Sequence, residues 1–324
     1  MALGKALRSI TPGLGQALRW LTRSAAATTV TFAVGVAVVI VVLQIAWTSA
    51  GADSDFTSTF EFGLWVGLCG TTAGVWTVAF VLGWKEAAAM LPKDPRKARR
   101  RCGWGVVAVA ALGGAAGLVM LLVGGETGFK PDVPGWSVWN KVIPGAGIAA
   151  AGPWVLTTWW THDSLTRMRV SLDVTPFSKA KAKTVFKALR TTWPRVEGCT
   201  LAMVAIVTSG VLTTGALRVA LVAGGAKDVP GEQQVLAYGL FFAVLVALVV
   251  VPLLLAYRRR ARQYITVRYP ATDPPGDAYP DRVVQVEELL YLSRGPFRDP
   301  WALLGVLTPA VAGALAAYLP GVSG

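Results

Sequence analysis

The sequence predicts an all-α membrane protein with seven transmembrane helices, its N-terminus inside and its C-terminus outside. Two observations carry this prediction. Hydrophobic residues make up 54% of the 324 residues and charged residues only 15%, against about 25% charged residues in a typical soluble domain. In addition, 27 of the 31 Lys and Arg residues fall in four polar segments, which alternate with segments that carry almost no positive charge.

Seven apolar windows are each long enough to cross a bilayer, which takes roughly 20 residues of helix. None of them contains Asp, Glu or Lys. Backbone groups in lipid must form their hydrogen bonds internally, and runs this long and apolar are typical of helices and not of barrel strands. The first six form a predicted transmembrane core over 29–257, and the seventh lies at the start of the last region, 301–324. The seven windows are 29–49, 62–83, 104–124, 142–161, 200–223, 235–257 and 301–320.

The distribution of positive charge predicts the orientation of these spans. The four basic segments carry four, seven, eight and eight Lys or Arg residues, and they are 1–28, 85–102, 162–198 and 258–300. Three nearly neutral or acidic segments alternate with them: 50–61, 125–141 and 224–234. Because short cytoplasmic loops carry the excess of Lys and Arg, every loop predicts the same topology.

Composition also indicates the source membrane. Ala, Gly and Val are abundant and Arg (20) outnumbers Lys (11), which is typical of a GC-rich bacterial genome. We therefore expect a multi-pass protein of a bacterial cytoplasmic (inner) membrane. The first span exceeds the 7–15 apolar residues of a signal peptide, so we expect it to be retained; cleavage near Ser49 would leave six spans in the same orientation.

Three regions lie outside the core. Residues 1–28 form a basic amphipathic segment suited to a membrane surface. Residues 258–300 form a cytoplasmic loop, in which alternation of Ile265, Val267 and Tyr269 predicts a short strand, and in which Asp281 begins a predicted helix. The region 301–324 contains the seventh helix and an external tail.

Small residues predict close helix packing on two spans. On span 2 they recur at spacings of four, three and four, which places them on one helix face, and they recur every four residues on span 7. Glycine faces let membrane helices approach closely, so these positions predict helix contacts within one subunit or between subunits. The predicted packing glycines are Gly63, Gly67, Gly70, Gly74, Gly305, Gly313 and Gly321.

Span 4 holds the candidate cavity or kink, formed by Pro144, Gly147, Gly152, Pro153 and Trp154. Each proline removes a backbone donor and disturbs the carbonyl four residues earlier. Broken helices near mid-membrane line binding sites in transporters, although Pro and Gly are also common in plain transmembrane helices. The deep tryptophans of spans 2 and 4, Trp76 and Trp154, are expected in helix contacts or in a cavity.

The basic segments are the candidate contact surface. On 176–195 the apolar side chains Val185, Leu189 and Trp193 share a helix face among lysines, as in a helix lying on anionic lipid. The same charges could bind a protein partner, or nucleic acid by neutralising phosphates, a less favoured alternative. The predicted contact residues are Arg99, Arg100, Arg101, Lys179, Lys183, Lys187, Arg258, Arg259 and Arg260.

The residues that carry chemistry are few. No phosphate-binding loop, zinc-protease or esterase motif is present, and His162 is the single histidine. The three cysteines (Cys69, Cys102 and Cys199) form no metal-binding pattern, and Arg218, the one charge inside a span, is expected to extend to the outer interface. We therefore predict no catalytic residue, cofactor or metal.

Two function classes remain open. The sequence favours a transport or pore-forming component because of the candidate kink in span 4. The alternative is a non-catalytic membrane assembly or scaffold subunit, whose basic cytoplasmic face binds a partner protein, anionic lipid or DNA. Homo-oligomerisation is compatible with both.

Overall fold

The computed structural model describes residues 25–49, 59–92, 136–172, 178–225, 231–269, 279–292 and 308–314, together with a few positions between 94 and 114. These residues contain helices and no strand, so the all-α fold class is confirmed. Residues 308–314 add a short helical segment. The longer helices are α1 (Ala25–Ser49), α2 (Phe60–Ala89), α3 (Trp136–Leu172), α4 (Lys179–Ala223), α5 (Glu232–Arg268) and α6 (Tyr279–Leu289).

Three of these helices, α2, α4 and α5, are long and apolar enough to cross a membrane, and α1 adds a shorter apolar run over Ala26–Val41. Large apolar side chains on α5 point away from the other helices, and Leu248 is 70% exposed. A soluble protein rarely presents such a surface, whereas lipid chains cover it without cost. These helices support a membrane protein.

Helix α4 begins at a capped residue and extends beyond its predicted span. The Ser178 hydroxyl accepts a hydrogen bond from the Lys181 amide at 3.3 Å, which satisfies one of the free donors in the first turn of α4. From there α4 runs for 45 residues through Pro194. Its length is about 67 Å, roughly twice the thickness of a bilayer's hydrocarbon core.

Contacts along α2 and α3 show that these neighbouring helices are parallel. Gly147 of α3 packs on Trp76 of α2, and seven residues further along both chains Trp154 packs on Gly83. Since residue numbers rise together along the contact, the two helices run in the same direction. The end of α2 and the start of α3 therefore lie at opposite ends of the bundle.

The pairs α1–α2, α2–α4 and α4–α5 are antiparallel. On α2, Thr72 contacts Thr213 of α4, and Glu86 contacts Arg195 nearer the start of α4. On α1, Gly35 lies against Gly74 of α2, and Leu43 belongs to a cluster with residues near the start of α2. Helix α5 packs antiparallel to α4 and also contacts α3.

One sequence prediction of secondary structure is wrong. The strand expected from alternation of Ile265, Val267 and Tyr269 is instead the last part of α5. Ala261, Tyr264 and Ile265 are buried at helical spacing, so the period of the preceding span continues and overrides the local alternation. The helix expected to begin at Asp281 is present as α6. Residues 1–24 and most of the windows 104–124 and 301–320 lie outside the described residues.

Candidate functional site

Indole rings fill the space around the candidate kink of span 4. Trp154 is buried, and its Nε1–H donates a 2.7 Å hydrogen bond to the carbonyl oxygen of Ala79 on α2. Gly83 leaves room for this ring, since a Cβ atom there would lie 2.7 Å from Trp154 Nε1. Gly147 makes a similar space for Trp76, whose Cη2 would lie 3.0 Å from an added Cβ.

The prolines of α3 do not interrupt the helix. Residues 136–172 are helical throughout, including Pro144 and Pro153, so the chain is not unwound as in a broken transporter helix. Gly152 and Pro153 are buried, and the Pro153 carbonyl oxygen accepts a 2.8 Å hydrogen bond from the Thr157 hydroxyl. Gly152 and Pro153 therefore belong to a continuous helix that packs against its neighbours, and the Trp154 side chain links α3 to α2.

A second tryptophan joins α2 to α4 through polar contacts. Trp76 Nε1–H donates to the carbonyl oxygen of Ile206 at 3.0 Å and lies 3.1 Å from the Ser209 hydroxyl. One turn earlier, the hydroxyls of Thr72 and Thr213 are 2.7 Å apart. The sequence prediction that the two deep tryptophans take part in helix contacts is confirmed.

Two buried hydroxyls in this part of the bundle make no well-formed hydrogen bond with the described residues. They belong to Thr158 and Thr208. Thr158 faces the Cys199 thiol, which is a weak partner. Such groups cost free energy when left unpaired, so they are the described polar atoms best placed to meet a ligand or water.

The predicted packing glycines divide into two groups. Gly70 and Gly74 contact α1, where added Cβ atoms would lie 3.0 Å from Ile40 and 2.7 Å from Phe32, whereas Gly63 and Gly67 have no atom within 4 Å. Gly313 meets Gly239 of α5, and a Cβ on Gly239 would lie 2.8 Å from the Gly313 Cα. Gly305 and Gly321 lie outside the described residues.

Beyond the predicted spans, four helices form a folded extension that we call the basic end. It consists of α3 from His162, α4 up to Gly198, α5 from Arg258, and α6. Its core continues the core of the bundle, with Leu165, Leu189, Ala261 and Leu290 all fully buried. The apolar face of α4 that the sequence predicted to lie on lipid, Val185, Leu189 and Trp193, is buried against protein instead. Lipid contact by the surrounding charges stays a prediction.

Aromatic side chains fix α6 to the basic end. The Tyr257 hydroxyl donates a 3.1 Å hydrogen bond to the Leu290 carbonyl oxygen. Trp193 packs against Tyr257 and stacks on Tyr291, with ring centroids 5.1 and 5.3 Å away. Tyr291 has a positive φ of 56°, in the left-handed conformation that ends a helix and usually requires glycine.

The arginine triplet of α5 is split between protein interior and surface. Arg258 and Arg260 are only 8% and 9% exposed, so the expectation that all three meet lipid or a partner is not met. Arg260 Nε–H donates to the Leu165 carbonyl oxygen at 3.0 Å, and one of its terminal nitrogens donates to Gln263 at 2.7 Å. Arg259 is exposed.

The remaining predicted contact residues that the structure describes are exposed. Lys179, Lys183, Lys187 and Arg100 all face outward, while Arg99 and Arg101 lie outside the described residues. Arg190, which the sequence analysis did not select, is exposed on the same face of α4 as the lysines. Helical spacing of three residues from Lys187 and seven from Lys183 could have identified it.

Ion pairs link charges that the sequence could not pair. Glu86 at the end of α2 contacts Arg195 Nε of α4 at 3.2 Å, with both side chains about a third exposed. Arg218 contacts Glu232 at the start of α5 at 3.3 Å, so its charge reaches the end of the bundle, as the sequence predicted. Of these two pairs, only Arg218–Glu232 is close enough in sequence to suspect.

Groups that could hold a metal ion are absent from the part of the chain that the structure describes. Cys69 and Cys199 are buried and free. Comparisons with protein-family models, curated proteins and solved structures found no match to this chain.

Proposed function

We propose that the chain is a non-catalytic docking subunit of a bacterial cytoplasmic membrane, whose basic end binds a macromolecular partner in the cytoplasm. The observation that carries this proposal is the burial pattern of the basic end. The apolar side chains of α4 and α5 in this part pack into a core shared with α3 and α6, while most of its described cations remain at the surface. A rigid, charged surface of this kind suits recognition of a partner better than insertion into lipid.

The proposed topology has seven spans, with the N-terminus inside and the C-terminus outside. The parallel arrangement of α2 and α3 supports it, because one further crossing between them returns the chain to the starting side. Isolated positions in the third window, 107, 109 and 114, are helical. The excess of Lys and Arg at one end of the bundle supports a cytoplasmic location for that end, by the positive-inside rule.

A transport or pore-forming role is the second candidate. It is supported by the buried hydroxyls of Thr158 and Thr208, which could line a path if the helices separate. Against it, Trp76 and Trp154 fill the region where the sequence predicted a cavity. Flux of ions or small solutes through liposomes that contain the purified chain tests this role, and flux lost on Thr158→Val would favour it over docking.

The docking function is tested by purifying the chain in a mild detergent and measuring what accompanies it. We expect one partner in stoichiometric amount, released by raised salt, with its binding site mapped by hydrogen–deuterium exchange. Protection should be confined to residues 179–198 and 258–268. A chain that purifies alone from several growth conditions, or protection confined to residues 225–231 at the other end, would contradict the proposal.

A further inference from the structure

The amino-terminal half of α4 carries a narrow row of cations. Lys179, Lys183, Lys187 and Arg190 are all exposed, and at 3.6 residues per turn they fall within a stripe about 80° wide. The buried side chains Ala182, Val185 and Leu189 lie on the opposite face, packed into the core. Because that face is held by the protein, α4 cannot rotate to hide the cations.

These cations have no carboxylate partner within the described residues. The described ion pairs join Arg167 to Asp163, Arg195 to Glu86 and Arg218 to Glu232, and none of them includes a member of the row. The exposed neighbours on one flank of the row, Ala180 and Thr184, are uncharged. Among the described residues, the row is therefore a line of positive charge without an ion-pair partner.

Lys179 and Lys183 also lie too far from the bilayer to be held by headgroups. Residue 200 begins the predicted span of α4, so Lys187 lies about 20 Å and Lys183 about 25 Å further along the helix axis. The headgroup layer is roughly 5–7 Å deep on each side, and the Debye length at physiological salt is about 8 Å. Even with a helix tilt of about 40°, Lys183 remains beyond the reach of lipid charge.

The spacing of the row matches one helix better than a nucleic acid. Lys179, Lys183 and Lys187 rise in steps of about 6 Å, as do carboxylates placed at every fourth residue of a second helix. Duplex DNA presents two phosphate strands across a groove about 12 Å wide, and proteins that bind it commonly neutralise about 6–10 phosphates. Four cations in one line, with uncharged residues on a flank, fit that shape poorly.

We infer that this row is the docking site for an acidic helical segment of the partner protein, one that carries Glu or Asp at intervals of four residues. The inference rests on the proposed docking function and names its surface. Charge complementarity between the row and the acidic helix fixes how the two align. It also raises the association rate and excludes partners of the wrong charge. Binding at this site therefore weakens as salt is raised.

The test uses the full chain in nanodiscs of zwitterionic lipid. The probes are a synthetic helical peptide with Glu at every fourth position, the same peptide with Gln, and a short DNA duplex. We expect the Glu peptide to bind and the Gln peptide not to bind. The double variant Lys183→Glu, Lys187→Glu should weaken binding by about tenfold or more, since exposed ion pairs contribute up to about 1 kcal/mol each and here turn repulsive.

The matched control is Lys85→Glu with Lys97→Glu, which makes the same change in charge at exposed positions outside the basic end. We expect it to change affinity by less than about twofold. A peptide with Lys in place of Glu should bind the Lys183→Glu, Lys187→Glu variant, which shows that this variant is folded. An equal loss of peptide affinity in the control would overturn the site, because it would show that the affinity depends on the net charge of the chain and not on the position of these lysines.

Three further results would overturn the inference. They are binding of the DNA duplex in preference to the Glu peptide, loss of peptide binding when the nanodisc contains anionic lipid, and unchanged binding in the Lys183→Glu, Lys187→Glu variant. Failure of the docking function gives a different result. If a natural partner purifies equally with the unmodified chain and with the Lys183→Glu, Lys187→Glu variant, the docking function stands and this site is wrong. If the Glu peptide binds as expected but no natural partner is found, the site stands and the docking function is wrong.

Discussion

The Tyr257 hydroxyl donates a hydrogen bond of 3.1 Å to the Leu290 carbonyl oxygen, and both residues are fully buried. This contact joins the end of the membrane-crossing part of α5 to the carboxyl end of α6, 33 positions later in the sequence. A buried carbonyl that loses its donor keeps its desolvation cost. The Tyr257 phenol therefore contributes to the attachment of α6.

Removing that hydroxyl should destabilise the basic end. We expect Tyr257→Phe to lower the free energy of unfolding by about 1–3 kcal/mol, because the Leu290 carbonyl is left buried without its partner. Thermal unfolding in mild detergent measures the change. Tyr238→Phe is the matched control, since Tyr238 has no hydrogen-bond partner among the described residues, and a loss as large there would contradict the assignment.

Tyr291 should behave differently when it is replaced by Gly and by Ala. Both substitutions remove the stack on Trp193, which contributes about 0.5–1.5 kcal/mol, but only Gly relieves the left-handed backbone. We expect Tyr291→Ala to be less stable than Tyr291→Gly by about 1 kcal/mol. Amide hydrogen exchange across α6 reports the difference, and equal exchange rates would show that the positive φ costs nothing.

Glycine substitutions should separate close helix contacts from open faces. A Cβ on Gly239 would lie 2.8 Å from the Gly313 Cα and 2.9 Å from the Pro309 carbonyl oxygen, so the backbones must move apart. We expect Gly239→Ala to cost about 1–3 kcal/mol. Gly63→Ala, with no atom within 4 Å, should be neutral or gain up to about 1 kcal/mol in helix propensity. Equal loss in both would contradict the contact.

The arginine triplet predicts a contrast between neighbouring residues. Arg260 hydrogen-bonds the Leu165 carbonyl and Gln263 from a buried position, whereas Arg259 is exposed. We expect Arg260→Ala to lower stability by about 1.5–3 kcal/mol and Arg259→Ala to change it by less than about 0.5 kcal/mol. Unfolding of the two variants under identical detergent conditions measures both, and a larger loss for Arg259→Ala would refute the assignment.

The same triplet shows where sequence analysis stops. Three consecutive residues turn through about 100° each on a helix, so they cannot all face one way. The prediction that all three arginines meet lipid or a partner assumed that they lie in a loop. Instead, Ala261, Tyr264 and Ile265 are buried at helical spacing, so α5 continues past the predicted span and turns two of the arginines inward. Apolar length and charge distribution were visible in the sequence because each is a local property.

The pairing of distant residues was not visible. Gly70, Gly74 and Gly313 could be selected as small residues at helical spacing, yet their partners Gly35 and Gly239 depend on which helices become neighbours. Likewise, the spacing of Pro and Gly in span 4 could not show that indole rings occupy the gaps. Those rings come from α2 and α3 together, and only their arrangement in space decides between a cavity and a packed contact.

Thiol accessibility tests the orientation of the bundle directly. With Cys69, Cys102 and Cys199 replaced by Ser, a single Cys is placed at Lys183 in the basic end or at Gly231 in the turn before α5, both exposed positions. We expect a membrane-impermeant thiol reagent to label Gly231→Cys in intact cells and Lys183→Cys only after the membrane is opened, because the proposed topology puts the basic end on the cytoplasmic side. Denatured samples, in which both positions should label fully, control for reactivity. Labelling of Lys183→Cys in intact cells would reverse the orientation and, with it, the compartment in which a partner must be sought.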